Sequence, residues 1–322
     1  MPVPKTLLVT VPGMIGEPDL APLRAVSDLT YDERESIAED DLAALCAGYD
    51  YLMLNYDVVP TVGMFKLTDS FYSHPAVRAL KAIATDITGM DWASPKSAAA
   101  NDILLLNIPH YSTRSVAESI VCEVLLHSRQ RHKAYMDELR GEIPPKDRKG
   151  INLVERTAGI VGLGSIGQKT AQLLTALGMQ VIAWNRSSRQ GFEQVALEEL
   201  FARADVICVC LKTVKEGAEP NVGIVSRSLL ERCRGAIIVN LANVALVDHD
   251  AMTDAIEASK VHGYSVEWSD ELRASRLGQL DAVHFPPHNA WNSDESLVAL
   301  RQTWVSNVTA AISGSPVNVY HD

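Results

Sequence analysis

The chain has 322 residues, of which 40 are acidic and 29 basic, a formal net charge of −11. That balance argues against nucleic acid or an anionic membrane as a partner, and no apolar run approaches the roughly 20 residues of a membrane-spanning helix. The length suffices for large cores and points to two domains.

From the N-terminus, MPVPKTLLVTVPG lacks the layout of a signal peptide, and residues 5–11 read as a first strand. An acidic amphipathic helix over 34–47 and a strand over 51–55 come next. Residues 56–73 form an irregular stretch with Pro60, Gly63, Lys66 and several aromatics, the kind of loop that faces a substrate. A helix over 75–82, a strand over 83–86, a helix over 97–102 and a strand over 103–108 complete a first α/β alternation. Residues 112–139 read as one long helix, and 141–152, with Pro144-Pro145, as a polar linker.

Residues 158–161 are then a short apolar strand, and Gly162, Gly164 and Gly167 follow at GxGxxG spacing. A helical apolar pattern runs over 168–177, Gly178 is a candidate C-cap, and 180–184 is a second strand. Strand, glycine turn, helix and strand together are the context that gives this spacing meaning. Gly162 permits the tight turn, Gly164 lets a pyrophosphate approach the backbone, and Gly167 lets helix and strand pack closely. The phosphates would sit on the helix N-terminus. Where an NAD site has Asp or Glu, this chain has Asn185-Arg186-Ser187-Ser188-Arg189. Two guanidiniums and two hydroxyls suit a 2′-phosphate, so NADPH is expected over NADH.

The remainder alternates again. Helices are expected over 197–202, 226–232, 248–258 and 294–312, and strands over 205–211, 236–241, 261–267 and 283–285. The pattern is α/β, two Rossmann-like doubly wound parallel-sheet domains with an interdomain cleft. Cys46, Cys122, Cys208, Cys210 and Cys233 are scattered, with Cys208-Val209-Cys210 inside an apolar strand. Reduced thiols in a cytoplasmic protein, with no metal site, are the expectation.

From Asn101 onward the motifs resemble the D-isomer-specific 2-hydroxyacid dehydrogenases, a family that includes glyoxylate/hydroxypyruvate reductases. The resemblance is carried by Asn107-Ile108-Pro109 with YSTRSVAE at 111–118, and by GIVGLGSIG. It is carried further by Gly235 to Asn240, by Ala245-Leu246-Val247-Asp248, and by Pro287-His288 with Ala290-Trp291. It implies a discontinuous substrate domain, 1–104 with 290–322, a dinucleotide-binding domain over 105–289, and a homodimer built around the latter and the long helix. It also adds Ser165, Ile166, Leu211 and Ala242 to the cofactor contacts, and Thr88, Gly89 and Trp291 to the substrate contacts.

In that family an Arg holds the keto acid, a His exchanges the proton, and a Glu pairs with the His. His288 matches the histidine. The arginine position is Asn243 and the glutamate position is Leu272, with Glu271 adjacent; a one-residue bulge would bring Glu271 to His288. Glu267 matches the family's aspartate. The glycine-rich substrate loop is here Asp86-Ile87-Thr88-Gly89, where Asp86 would disfavour an anion. Arg114 and Lys66 are candidate replacement cations. Tyr56, Phe65, Phe71, Tyr72, His110, Tyr264, Trp268 and Trp291 are candidates for an aromatic pocket.

Losing one polarising donor commonly costs about a hundred- to a thousandfold in rate. The expected activity is therefore an NADPH-dependent oxidoreductase acting on an atypical small molecule, a carbonyl, an imine or an enone. Two alternatives stand beside it: a 2-keto acid reductase with a relocated clamp, and a cofactor-binding protein without turnover.

Overall fold

Tyr51–Leu54 and Ala82–Thr85 are buried at every position, as strands covered on both faces must be. They lie inside a five-stranded parallel sheet in a computed structural model that describes residues 2–59, 66–143, 149–215 and 219–320. In chain order this unit comprises β1 (Lys5–Thr10), α1 (Glu17–Arg24), β2 (Asp28–Glu33), α2 (Glu39–Leu45), β3 (Tyr51–Leu54), α3 (Asp69–Ser73), β4 (Ala82–Thr85), α4 (Pro95–Ala100) and β5 (Leu104–Leu106). The sheet order is β2-β1-β3-β4-β5, with Thr6 opposite Tyr51, Tyr51 opposite Ala82, and Ala82 opposite Leu104. The strand period of two divides the apolar residues between two cores. Leu7, Val9, Leu52, Leu54 and Ile83 pack with Leu42 of α2 and Phe71 of α3. Leu8, Tyr51, Met53 and Ala84 pack with Leu20 and Leu23 of α1 and with Trp304 of the closing helix.

The second unit holds α5 (Thr113–Ser128), α6 (Arg131–Leu139), β6 (Thr157–Val161), α7 (Ser165–Ala176), β7 (Gln180–Trp184), β8 (Glu193–Gln194), α8 (Leu197–Arg203), β9 (Val206–Val209), α9 (Arg227–Leu230), β10 (Ala236–Asn240), α10 (His249–Glu257), β11 (Val261–Val266), α11 (Asp270–Ala274) and β12 (Val283–His284). Its seven strands pair in the order β12-β11-β10-β9-β6-β7-β8, all parallel. Ile120 and Val124 of α5 and Ala171 and Leu174 of α7 pack with one set of strand residues. Leu200 and Phe201 of α8 and Met252 of α10 pack with the other. Strand order reverses between β6 and β9, and ligands of such sheets bind outside the carboxyl ends of the strands at that reversal. Finally α12 (Asp294–Ile312) returns to the first unit.

The units divide at Ser112/Thr113 and Asn292/Ser293. The expected boundaries after 104 and before 290 are corrected accordingly. β5 is an edge of the first sheet, and the residues after it are held there: Asn107 N–H donates to the Asn318 carbonyl at 3.1 Å, and Asn307 Nδ2 to the Asn107 carbonyl at 2.7 Å.

Three expected elements also change. The single helix over 112–139 is two, because Ile151 N–H takes the Ser128 carbonyl at 2.7 Å and Gln130 adopts φ +50°. The helix over 34–47 shrinks to α2, and the segment before it pairs with β1 as β2. The helix over 75–82 is replaced by turns closed at Val77 and Leu80, with the helical residues earlier, in α3. The linker prolines Pro144 and Pro145, and the loop residues Pro60, Gly63 and Phe65, lie outside the described residues.

Candidate active site

β6 ends at Val161 and the chain turns through Gly162, whose φ of +103° suits glycine. A Cβ there would stand 2.8 Å from the Cys210 carbonyl oxygen and 2.8 Å from Leu211 Cδ2. A Cβ on Gly167 would stand 1.9 Å from the Gly162 carbonyl oxygen, so α7 cannot close on β6 with any other residue. At Gly164 a Cβ would meet nothing within 4 Å. Its open side is the space a dinucleotide pyrophosphate needs, beside the first turn of α7, Ser165, Ile166 and Gly167, whose N–H groups lack i−4 carbonyls. The turn therefore fits a dinucleotide.

At the end of β7 the Asn185 carboxamide ties this turn down. Its Oδ1 accepts from Leu163 N–H at 2.9 Å, and its Nδ2 donates to the Ser187 carbonyl at 2.8 Å. Arg186 Nε pairs with Glu219 Oε2 at 3.0 Å. The Arg189 side chain is exposed and has no ion pair among the described residues; its backbone N–H donates to Gln194 Oε1. Leu211 follows β9 beside Gly162. Ala242 follows β10, with its N–H on Asn240 Oδ1 at 3.2 Å.

On the same sheet, His288 Nδ1 meets Glu267 Oε1 at 2.8 Å. Glu267 is the first residue after β11, and His288 lies four residues beyond β12. Two hydrogen bonds to backbone carbonyls hold the loop: Trp268 N–H donates to the Pro286 carbonyl at 2.9 Å, and the Trp291 indole Nε1 to the His288 carbonyl at 3.2 Å. The Glu267 carboxylate holds the His288 imidazole above its ordinary pKa, against a smaller opposing effect of burial. With Nδ1 engaged, Nε2 is the nitrogen left for proton exchange, and it has no partner among the described residues.

A nucleotide-binding turn and a carboxylate-oriented histidine thus stand on one parallel sheet. The profile for "D-isomer specific 2-hydroxyacid dehydrogenase, NAD binding domain" matches residues 121–290. The chain belongs to this family. It is 31% identical over 248 residues to a D-3-phosphoglycerate dehydrogenase of Mycobacterium bovis, an alignment covering 74% of this chain and 46% of that protein. The chain thus spans about half the length of that relative. It is 27% identical over 321 residues to a hydroxypyruvate reductase of Blautia hydrogenotrophica, covering 94% of this chain and 95% of that one. The solved D-mandelate dehydrogenase of Rhodotorula graminis superposes with a TM-score of 0.86 at 17% identity, over 100% of this chain and 98% of that one. The family's relatives are dehydrogenases and reductases by name, and its profile is that of an NAD-binding domain.

Against the family's expected triad, one residue is corrected. Glu271 does not pair with His288; Glu267, which sequence counting matched to the family's aspartate, does. Glu271 falls in the first turn of α11, capped by Ser269, whose Oγ accepts from Leu272 N–H at 3.3 Å. A carboxylate there suits the helix N-terminus. Asn243 caps the 3-10 turn Val244–Leu246: its Oδ1 accepts from Ala245 N–H at 2.9 Å, and its carbonyl accepts from Asn240 Nδ2 at 2.8 Å. That leaves the amide Nδ2 without a partner among the described residues.

Several candidates are occupied within their own units. Thr88 Oγ1 donates to the Ile108 carbonyl at 3.2 Å, and Gly89 accepts from Trp92 Nε1 at 3.2 Å. Asp86 is buried, accepting from Asn55 Nδ2 at 2.5 Å and Tyr56 N–H at 2.7 Å. Burial pushes its carboxyl up to about 6. It is an anchor of the first unit, tied to Asn55 and Tyr56. Arg114 pairs with Glu118 at 2.6 Å, and Lys66 is exposed. Phe71, Tyr72 and Tyr264 are core residues and leave the proposed aromatic pocket. Trp268 is half exposed and carries the Arg273 guanidinium 3.7 Å above its ring.

Proposed function

We propose that this chain is an oxidoreductase that uses NADPH and reduces a carbonyl, imine or enone lacking a free 2-keto carboxylate. The observation that carries the reading is the His288–Glu267 pair together with an uncharged, loop-bound Asn243 at the family's arginine position. The His288–Glu267 pair can exchange a proton, and the position of the family's keto-acid arginine holds the uncharged Asn243. When bound, the nicotinamide supplies or accepts the hydride. His288 Nε2 gives its proton to the reduced atom, Glu267 favours the protonated imidazole, and Asn243 Nδ2 offers one uncharged donor for orienting the reacting group. NADPH is favoured by Arg186, Ser187, Ser188 and Arg189 and by the absence of a carboxylate from that segment. A 2′-phosphate would take Glu219's place on Arg186.

Fluorescence titration with NADPH and NADH, followed by turnover on a panel of substrates, tests this. NADPH is expected to bind about tenfold or more tighter, a margin of about 1.4 kcal/mol. Glyoxylate and hydroxypyruvate are expected to give kcat/KM below about 10⁴ M⁻¹s⁻¹, the low end of ordinary enzymes. Tighter NADH binding removes the cofactor assignment. Efficient keto-acid reduction removes the atypical substrate in favour of a relocated clamp, and binding without turnover on any of the panel favours a sensor.

The reading includes a homodimer. Leu125 of α5, Tyr135 and Leu139 of α6, and Ile143 beyond them are exposed apolar residues, Ile143 at 89%. Light scattering is expected to give twice the 35.1 kDa chain mass, and a stable single-chain mass would refute it.

A further inference from the structure

Both strands that lead into the His288–Glu267 pair are clasped by one buried carboxylate. β12 is an edge strand of two residues, and its ladder to β11 has two register pairs, Tyr264 with Val283 and Ser265 with His284. So short a ladder fixes an edge weakly. Glu123, buried on α5, adds what the ladder lacks. Its Oε2 accepts from Ser265 Oγ at 2.6 Å and from His284 Nδ1 at 2.7 Å. Ser265 is two residues before Glu267, and His284 is four residues before His288. The same carboxylate oxygen therefore holds the root of both members of the pair.

The direction of each bond follows from proton counting. The Ser265 hydroxyl has one proton and gives it to Glu123, so toward His127 its oxygen accepts, and His127 Nε2–H donates over 2.8 Å. Burial pushes His127 down to about 3, although Glu123 opposes the shift, so the ring is neutral. Its Nδ1 abuts Gly263, where a Cβ would lie 2.5 Å away. For Glu123, burial pushes the carboxyl up, but the bonds from His284 and Ser265 outweigh it and leave the group below the usual carboxylate range. His132 lies against His284, ring centroids 4.7 Å apart, and donates from Nε2 to the Val283 carbonyl at 2.9 Å. Lys133 and Asp281 are further charges acting on these histidines.

We propose that Glu123 is a positioning residue for the His288–Glu267 pair, acting by holding Ser265 and His284 on one carboxylate oxygen. The proposal rests on the reading of His288 as the proton-exchanging group. Glu123 touches neither Glu267 nor His288 in this arrangement; it sets the separation of the strand ends that carry them. A hydrogen bond of 2.8 Å tolerates little displacement, and a misplacement of about 1 Å at such a group can cost on the order of a hundredfold in rate.

The test is Glu123→Gln, the same size, whose carboxamide cannot offer Ser265 and His284 one shared anionic oxygen. An NMR titration of the imidazoles, with His288 assigned from its loss in His288→Gln, reads the pair without any substrate. The His288 titration is expected to move toward that of an ordinary histidine. In turnover, kcat is expected to fall roughly ten- to a hundredfold with NADPH binding unchanged, and the alkaline limb of the pH profile to shift with the NMR titration. Ser265→Ala, which removes one of the two bonds, is expected to give the same changes at smaller amplitude and serves if Glu123→Gln does not fold. An unchanged His288 titration in a folded variant overturns the proposal. Full turnover by His288→Gln would instead overturn the role of His288, leaving the NMR result to decide the positioning by itself.

Discussion

His288 was legible in the sequence because its neighbours are local: Pro287, Ala290 and Trp291 flank it within a few residues. Its partner was not. Counting along the chain reaches Leu272 and Glu271, but the pairing is set by where β11 ends, at Val266, which leaves Glu267 to meet Nδ1 at 2.8 Å. Asn243 was legible as an uncharged residue; its use as a cap for Ala245 N–H was not, since that depends on the turn that follows. The pairing has a measurable consequence. Glu267 raises the His288 pKa, so the imidazole keeps its proton to higher pH than a free histidine. Under the proposed function reduction needs that proton, so activity is expected to fall as pH rises through the raised value. Glu267→Gln removes the charge, and the alkaline limb of kcat/KM is expected to move to lower pH by about one unit, the low end for loss of an adjacent opposite charge. A limb that stays in place in the variant would mean that another group titrates there.

Elements were legible where apolar density is high and local signals agree. β3, β4, β6, β9 and β10 are short, almost wholly buried runs, and the glycine turn between β6 and α7 is specified by contacts of 1.9 and 2.8 Å that only glycine permits. Elements failed where the deciding partner is distant. β2, Asp-Leu-Thr-Tyr-Asp-Glu, is polar because it is an edge strand, and only its pairing with β1 makes it a strand at all. α1 carries Pro18 in its first turn, which a helix start tolerates, and Pro22 within it, which reads as a breaker. The break between α5 and α6 has no glycine or proline to announce it. It arises because Ile151 captures the Ser128 carbonyl and Gln130 takes a left-handed conformation. The clasp at Glu123 is the extreme case, with partners 142 and 161 residues away on strands whose register no local pattern sets.

At the scale of the whole molecule, buried histidines couple the fold to pH. His127, His132 and His249 are all pushed below the ordinary histidine value, chiefly by burial, His127 to about 3. A group whose folded pKa is depressed takes up its proton more readily in the unfolded chain. For these histidines the stabilisation is therefore complete above the unfolded value of about 6.5 and is lost as pH falls below it. Each can cost up to about 1.4 kcal/mol per pH unit over the range in which only the unfolded state is protonated. Asp86, held up to about 6, acts in the opposite direction between about 4 and 6, so the clearest window lies between about pH 6.5 and 6, narrowing in effect below it. Glu123, held low, adds its own loss only at more acid pH. Thermal unfolding of the second unit, followed through Trp184, Trp268 and Trp291, is expected to change little down to about pH 6.5 and to lose stability from there toward pH 5. His127→Gln lowers stability at pH 7 by removing the bond to Ser265 Oγ, yet it is expected to show a shallower decline with falling pH, because one proton uptake by the unfolded chain is gone. The slope and not the absolute midpoint decides the matter, and equal slopes in the variant and the parent would show that His127 takes no part in the acid response.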